Sequence, residues 1–121
     1  MGNELIEKYA FEAVDLIRKK EVSSSELLRA SRDRHIEVDE QVNALPHTFY
    51  DKALTKAKNI NIDSEIKNEK SLLGLPIAVK DYNDVAGVPT TFGSKIFRSN
   101  IPSKSDSTIA RLEQNGACLL Y

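Results

Sequence analysis

Apolar residues recur at spacings of three and four over residues 4–20. Leu5, Ile6, Tyr9, Ala13 and Ile17, with Ala10 and Val14 beside them, form one stripe, which predicts an amphipathic helix. Glu4, Glu7, Lys8, Asp15, Arg18 and Lys19 mostly cover the remaining faces. Ser23 and Glu26 have capping-box spacing, in which each side chain satisfies an otherwise orphaned backbone N–H. A second helix is therefore predicted from Ser23 to the region of Val38 to Glu40, with Leu27, Leu28 and Ile36 on its buried side. Residues 43–49 are expected to be extended around Pro46. A third helix is expected over roughly Tyr50 to Asn59, with Ala53, Leu54 and Ala57 on one face. The mostly polar stretch from Asn61 to Ser71 has no firm period and reads as a surface connection.

The pattern changes at Leu72. Leu75-Pro76-Ile77-Ala78-Val79 is short, apolar and bounded by Gly74 and Lys80, the signature of a strand buried on both faces. Pro76 then belongs at the strand's start, where a missing donor is tolerated. A long loop, Asp81 to Lys104, is broken by Gly87, Pro89, Gly93 and Pro102; a connection of this length is unusual unless it is functional. Ser105 or Asp106 is placed to cap a helix running to about Asn115, and Ile109 and Leu112 face inward. Gly116 suits its C-terminal cap. Ala117 to Tyr121 reads as a second buried strand, and strand, crossover, strand implies a parallel pair with a right-handed connection. Residues 1–71 are thus a helical region and residues 72–121 the start of an α/β core. The second strand is followed by no closing element, so the expectation is an N-terminal piece of a longer domain.

The chain has 121 residues, a formal net charge of −1 and a pI of about 6.1. Its Leu, Ile, Val and Phe content is above the level of disordered chains, so a core is expected. Neither charge nor any Lys/Arg cluster suggests a nucleic-acid footprint. No apolar stretch approaches the length of a membrane span. The opening residues Met1-Gly2-Asn3-Glu4-Leu5 lack a basic and then apolar run, so no secretory signal is expected. Ile6 occupies the position where a myristoylation motif needs Ser or Thr. Cys118 is the single cysteine, which excludes an intramolecular disulfide and fits a reducing, cytoplasmic setting; it reads as a small buried apolar residue. His35, His47 and Cys118 lack metal-ligand spacing. Neither a metal nor a cofactor is expected.

Lys80-Asp81, at the carboxyl end of the first strand, is the candidate site on position alone, because ligands in parallel α/β sheets gather outside strand carboxyl ends. A lysine desolvated there favours its neutral form and can act as a base. A strand-end lysine that reaches water, or pairs with Asp81 or Asp84, fits the same pattern. Ser23-Ser24-Ser25 lies at a helix start and has no glycine, so capping accounts for it. Ser103 to Ser107 precedes a helix and has no base beside it.

Gly74-Leu-Pro76-Ile-Ala-Val-Lys80-Asp81 resembles the G-x-P-x-x-x-K-D run of the amidase signature family. Asp84-Val85, Gly87, Pro89-Thr90-Thr91 and Gly93-Ser94 follow in that family's order and spacing. Asp106-Ser107-Thr108, Arg111-Leu112 and Gly116-Ala117 are similar to its later helix and strand. Upstream, Ile17-Arg18-Lys19 with Val22-Ser23-Ser24 resembles its helix junction, with Lys20 standing where glycine is commoner. Tyr82-Asn83 departs from the polar-then-apolar pair expected after Lys-Asp.

The resemblance implies an α/β fold: N-terminal helices, then the first strand–helix–strand unit of an amidase-signature mixed sheet, incomplete. It implies a Ser–cis-Ser–Lys amide hydrolase, turning carboxylic amides into acid and ammonia. Lys80 is the one residue that matches the triad. The family's Gly/Ser-rich segment, which supplies both serines and the oxyanion-hole amides, has no counterpart here, so the chain alone is expected to be inactive. The implied partner is a small-molecule amide, with no nucleic acid or membrane bound and with self-association of the fragment. Two other readings stand beside this one: the amidase subunit of a tRNA-dependent amidotransferase, and a non-catalytic interaction or assembly module.

Overall fold

A computed structural model describes residues 2–120, with side chains from Glu4 onward. Helices α1 (Gly2–Ile6), α2 (Ala10–Arg18), α3 (Ser24–Val42), α4 (Tyr50–Lys58) and α5 (Ile62–Glu65) precede strand β1 (Pro76–Ile77). A 3₁₀ turn at Lys95–Phe97, helix α6 (Ser107–Gln114) and strand β2 (Cys118–Leu119) follow. Helix α3 packs against α1, α4 and β1, and α4 packs against β2. No helix among the described residues is long and apolar enough to cross a membrane.

The helix predicted over residues 4–20 is two helices. Tyr9 adopts extended backbone, φ −63° and ψ 152°, at the start of α2, and its N–H donates to the Glu12 carboxylate at 2.9 Å. That bond satisfies one orphan donor of a new helix start, so the chain re-enters helix instead of continuing α1. Tyr9 consequently leaves the buried stripe. It is 72% exposed and stacks on Phe11 with ring centroids 5.8 Å apart. Ala13 and Ile17 keep the buried positions.

Helix α3 starts as its capping box dictates. Ser23 Oγ accepts from Glu26 N–H at 3.2 Å, and the Glu26 carboxylate accepts from Ser23 N–H at 2.8 Å. The helix runs to Val42, a few residues beyond its expected end, and Asn43 closes it at φ +51°. Asp39 Oδ1 accepts from Ala44 N–H at 2.7 Å and fixes the exit. Leu27 and Leu28 are buried, whereas Ile36 is 68% exposed and contributes no core contact.

Helix α4 buries Ala53 and Ala57. These pack with Leu28, Cys118 and Leu120 into one apolar cluster, while Ala13, Ile17, Leu27 and Leu73 form a second. The connection over residues 61–71 contains the single turn α5. Arg18 anchors it, with Nη1 donating to the Ile66 carbonyl at 2.7 Å.

β1 and β2 pair in parallel, Pro76 opposite Cys118 and Ile77 opposite Leu119. Cys118 N–H donates to Leu75 C=O and Leu120 N–H to Ile77 C=O, each at 2.9 Å. Pro76 is the first residue of β1, as its missing donor requires. Both strands are shorter than the runs predicted at 75–79 and 117–121; Tyr121 lies outside the described residues. β1 is half-buried, not covered on both faces; among the described residues α3 packs against it and β2 is its one paired strand.

Gly74 brings α3 against β1. Its φ is +82°, and a Cβ there would stand 2.1 Å from Ser24 Oγ. The Ser24 hydroxyl, buried, donates to the Gly74 carbonyl at 2.8 Å. At the other end of the unit Gly116 takes φ +94° after α6, and Ala117 N–H reaches back to Leu112 C=O at 3.0 Å, as a left-handed helix cap requires.

Candidate active site

Lys80 leaves the carboxyl end of β1 just past Ile77, as its place in the motif predicts. Val79, immediately before it, is buried with Ile109 of α6, which fixes the backbone at the strand's exit. The Lys80 side chain itself is exposed. The expectation of a desolvated lysine is therefore not met in this chain. Its Nζ lies over the Tyr82 ring, 4.9 Å from the centroid, within cation–π range. Among the described residues Lys80 forms no ion pair with Asp81 or Asp84; the ion pairs all lie in the helical region.

Asp81 turns into its own loop. Its carboxylate accepts from Thr91 N–H at 2.7 Å and from the Thr91 hydroxyl, and its carbonyl accepts from Phe92 N–H at 3.0 Å. Partial burial pushes the Asp81 carboxyl up, but the bonds from Thr91 Oγ1, Thr91 N–H and Gly93 N–H, with His47 adding to them, outweigh it, and the group sits below its ordinary value. Asp84 contributes through its backbone instead. Its N–H donates to the Asp106 carboxylate at 3.0 Å, and its C=O accepts from Asp106 N–H at 2.9 Å.

The long loop is consequently laced from base to tip. Asp84 meets Asp106, Gly87 N–H donates to Pro102 C=O at 2.9 Å, and Thr90 N–H donates to Asn100 C=O at 2.9 Å. Asn100 Nδ2 returns a bond to Thr90 C=O at 3.0 Å. Thr90 is buried at 2% exposure. Asp106 stands at the start of α6, as predicted, yet its side chain makes no cap bond, because its carboxylate is spent on Asp84 N–H and Asn83 Nδ2. Ser105 Oγ likewise accepts from Ala86 N–H at 2.9 Å. These two ties were missed by sequence reasoning; polar residues read as helix caps were the only local signal for them.

The serine clusters serve structure. Ser23 caps α3, Ser24 holds Gly74, and Ser105 holds the loop. His35 Nε2 stands 3.6 Å from Asp39 Oδ2 within α3. Cys118 is fully buried, and burial pushes its thiol up, against the pull of Lys56.

Residues 26–120 match the Amidase family model. The chain belongs to the amidase family. It is similar to a glutamyl-tRNA(Gln) amidotransferase subunit of Sulfurihydrogenibium sp., 34% identical over 114 residues, covering 93% of this chain and 24% of that protein. The corresponding subunit of Acidothermus cellulolyticus is 34% identical over 119 residues, covering 98% and 24%. The chain thus spans about a quarter of the length of the curated amidase relatives it matches. A chain from a vestigial protein complex bearing on the origins of an s-triazine catabolic enzyme superposes with a TM-score of 0.82 at 27% identity, over 93% of this chain and 25% of that one. Fatty acid amide hydrolase shares the fold at a TM-score of 0.84 and 24% identity, over 98% and 21%. The helical region and the incomplete parallel unit are those of amidase-family enzymes.

Proposed function

We propose that this chain carries the base of a Ser–cis-Ser–Lys amide hydrolase that converts a small carboxylic amide to acid and ammonia. Lys80 accepts a proton relayed through one serine. A second serine forms a bond to the amide carbonyl carbon, the C–N bond breaks, and the relayed proton leaves with ammonia. Water then hydrolyses the acyl-serine. Both serines and the oxyanion donors belong to sequence outside this chain, in keeping with the share of its relatives that it spans.

The observation that carries this reading is the division of labour at the end of β1. Asp81 is committed to Thr91, and among the described residues the Lys80 amine meets a ring and no carboxylate. The amine is thus left unpaired with either neighbouring carboxylate and is free to face the serine relay that the rest of the site supplies. Ser23, Ser24 and Ser105 are bonded into the fold, and the reading has the chain by itself inactive. Assay of the purified chain on simple amides, together with a serine-directed covalent probe, tests this. No turnover and no labelling are expected; turnover abolished by the probe would contradict it.

The two amidotransferase relatives favour a second reading, the amidase subunit of a tRNA-dependent amidotransferase. That protein would release ammonia from glutamine and depend on partner subunits. Ammonia release by the full-length protein from simple amides without partners would exclude it.

A further inference from the structure

Tyr82 is where the chain departs from the expected residues after Lys-Asp, and it is also the residue the Lys80 amine meets. We infer that Tyr82 is a positioning residue for Lys80, its ring face holding the amine clear of the carboxylates of Asp81 and Asp84. This rests on Lys80 being the base.

The geometry supports it from three sides. Lys80 Nζ stands 4.9 Å from the Tyr82 ring centroid. Asp81, the adjacent carboxylate in sequence, is drawn away by Thr91. The Asp84 backbone is tied to Asp106, which also takes the Asn83 side chain, and among the described residues the Asp84 carboxylate makes no ion pair with Lys80. The backbone between Lys80 and Tyr82 is closed by a turn in which Asn83 N–H donates to Lys80 C=O at 3.0 Å, and this keeps the residue 80 and 82 side chains together. A ring attracts an ammonium without taking its proton or binding it tightly, and at an exposed site the attraction amounts to about 0.5–1 kcal/mol. A carboxylate in the same place would hold the charged form more firmly. Tyr82 thus gives the amine a fixed direction from which it can still depart. The ring is 54% exposed, so replacing it leaves the core untouched.

The contact is tested on this chain by NMR of its lysine side chains, in wild type, Tyr82→Phe and Tyr82→Leu. The Lys80 Cε protons are expected to be displaced upfield by the ring in wild type and in Tyr82→Phe, and to return to the ordinary lysine position in Tyr82→Leu. A wild-type Lys80 without the displacement, or one unchanged in Tyr82→Leu, would overturn the contact. The positioning role is read in the full-length protein, where Tyr82→Leu should lower kcat about 2- to 5-fold with KM little changed and Tyr82→Phe should restore it, the factor that about 0.5–1 kcal/mol corresponds to. Unchanged kcat in Tyr82→Leu would overturn it. A Lys80→Ala variant of full activity would instead refute the base assignment and leave the NMR result standing.

Discussion

The Asp81 carboxylate holds Thr91 by two bonds, one from its N–H at 2.7 Å and one from its hydroxyl. Ten residues of loop separate them in sequence, so the pair fixes the start of the loop to its middle. It also settles the partner of the residue beside Lys80, which is a threonine and not the lysine.

Asp81→Asn should therefore loosen the loop more than it unfolds the chain. Losing a charge-assisted pair of this kind costs on the order of 1–2 kcal/mol, and amide exchange at Thr91 and Phe92 should quicken while that of α4 does not. The pH dependence follows from the lowered Asp81 value. Its contribution is present above the unfolded carboxylate value of about 3.9 and is lost as pH falls through the lower folded value. Following the Thr91 amide resonance into acid should reveal that transition in wild type, and Asp81→Asn should lack it.

Gly74→Ala should be strongly destabilising. The new methyl would meet Ser24 Oγ at 2.1 Å and the Ile60 side chain at 2.5 Å, on a backbone already at φ +82°. Overpacking and left-handed backbone together should cost about 2–4 kcal/mol. Thermal unfolding measures it, and a change under about 1 kcal/mol would contradict the close approach of α3 to β1.

Lys20→Gly should stabilise. Lys20 sits at φ +60°, where a side chain costs about 1–2 kcal/mol and glycine does not. Glycine's greater unfolded-state freedom offsets part of this, and the lost ion pair to Asp63 is exposed and contributes little. A net gain of about 0.5–1 kcal/mol is expected in denaturant unfolding.

Legibility in the sequence followed the range of the forces involved. Helices α4 and α6 could be read because their buried positions recur at helical spacing, Ala53 and Ala57 in α4 and Ile109 in α6. The Ser23–Glu26 box could be read from its own spacing. Tyr9 could not, since an apolar residue in phase with a stripe gives no sign that a carboxylate three residues on will capture its N–H. Ile36 fitted the period of α3 but faces a side left exposed. Lys80-Asp81 stood out by its place after an apolar strand and by the motif around it. What Asp81 and Asp106 bind was hidden, because their partners lie across the loop at Thr91 and Asp84, and the Tyr82 ring contact depends on a turn that spacing alone does not specify.

The isolated chain should self-associate. Phe92, Ile96, Phe97 and Ile101 are exposed at the loop's far end, and two strands leave unpaired edges, which invite pairing with other chains. Light scattering across a concentration series should give a mass that rises with concentration. A single monomeric mass at every concentration would contradict this and favour an independent module.

The role of Lys80 is tested most directly by the turnover of the full-length protein carrying Lys80→Ala, measured beside wild type on the same amide. The exposed position of the side chain predicts an unchanged fold by circular dichroism. Loss of the base should lower kcat by about 100-fold or more, with a smaller effect on KM. A Lys80→Ala protein that kept near-normal kcat would contradict the assignment of Lys80 as the base.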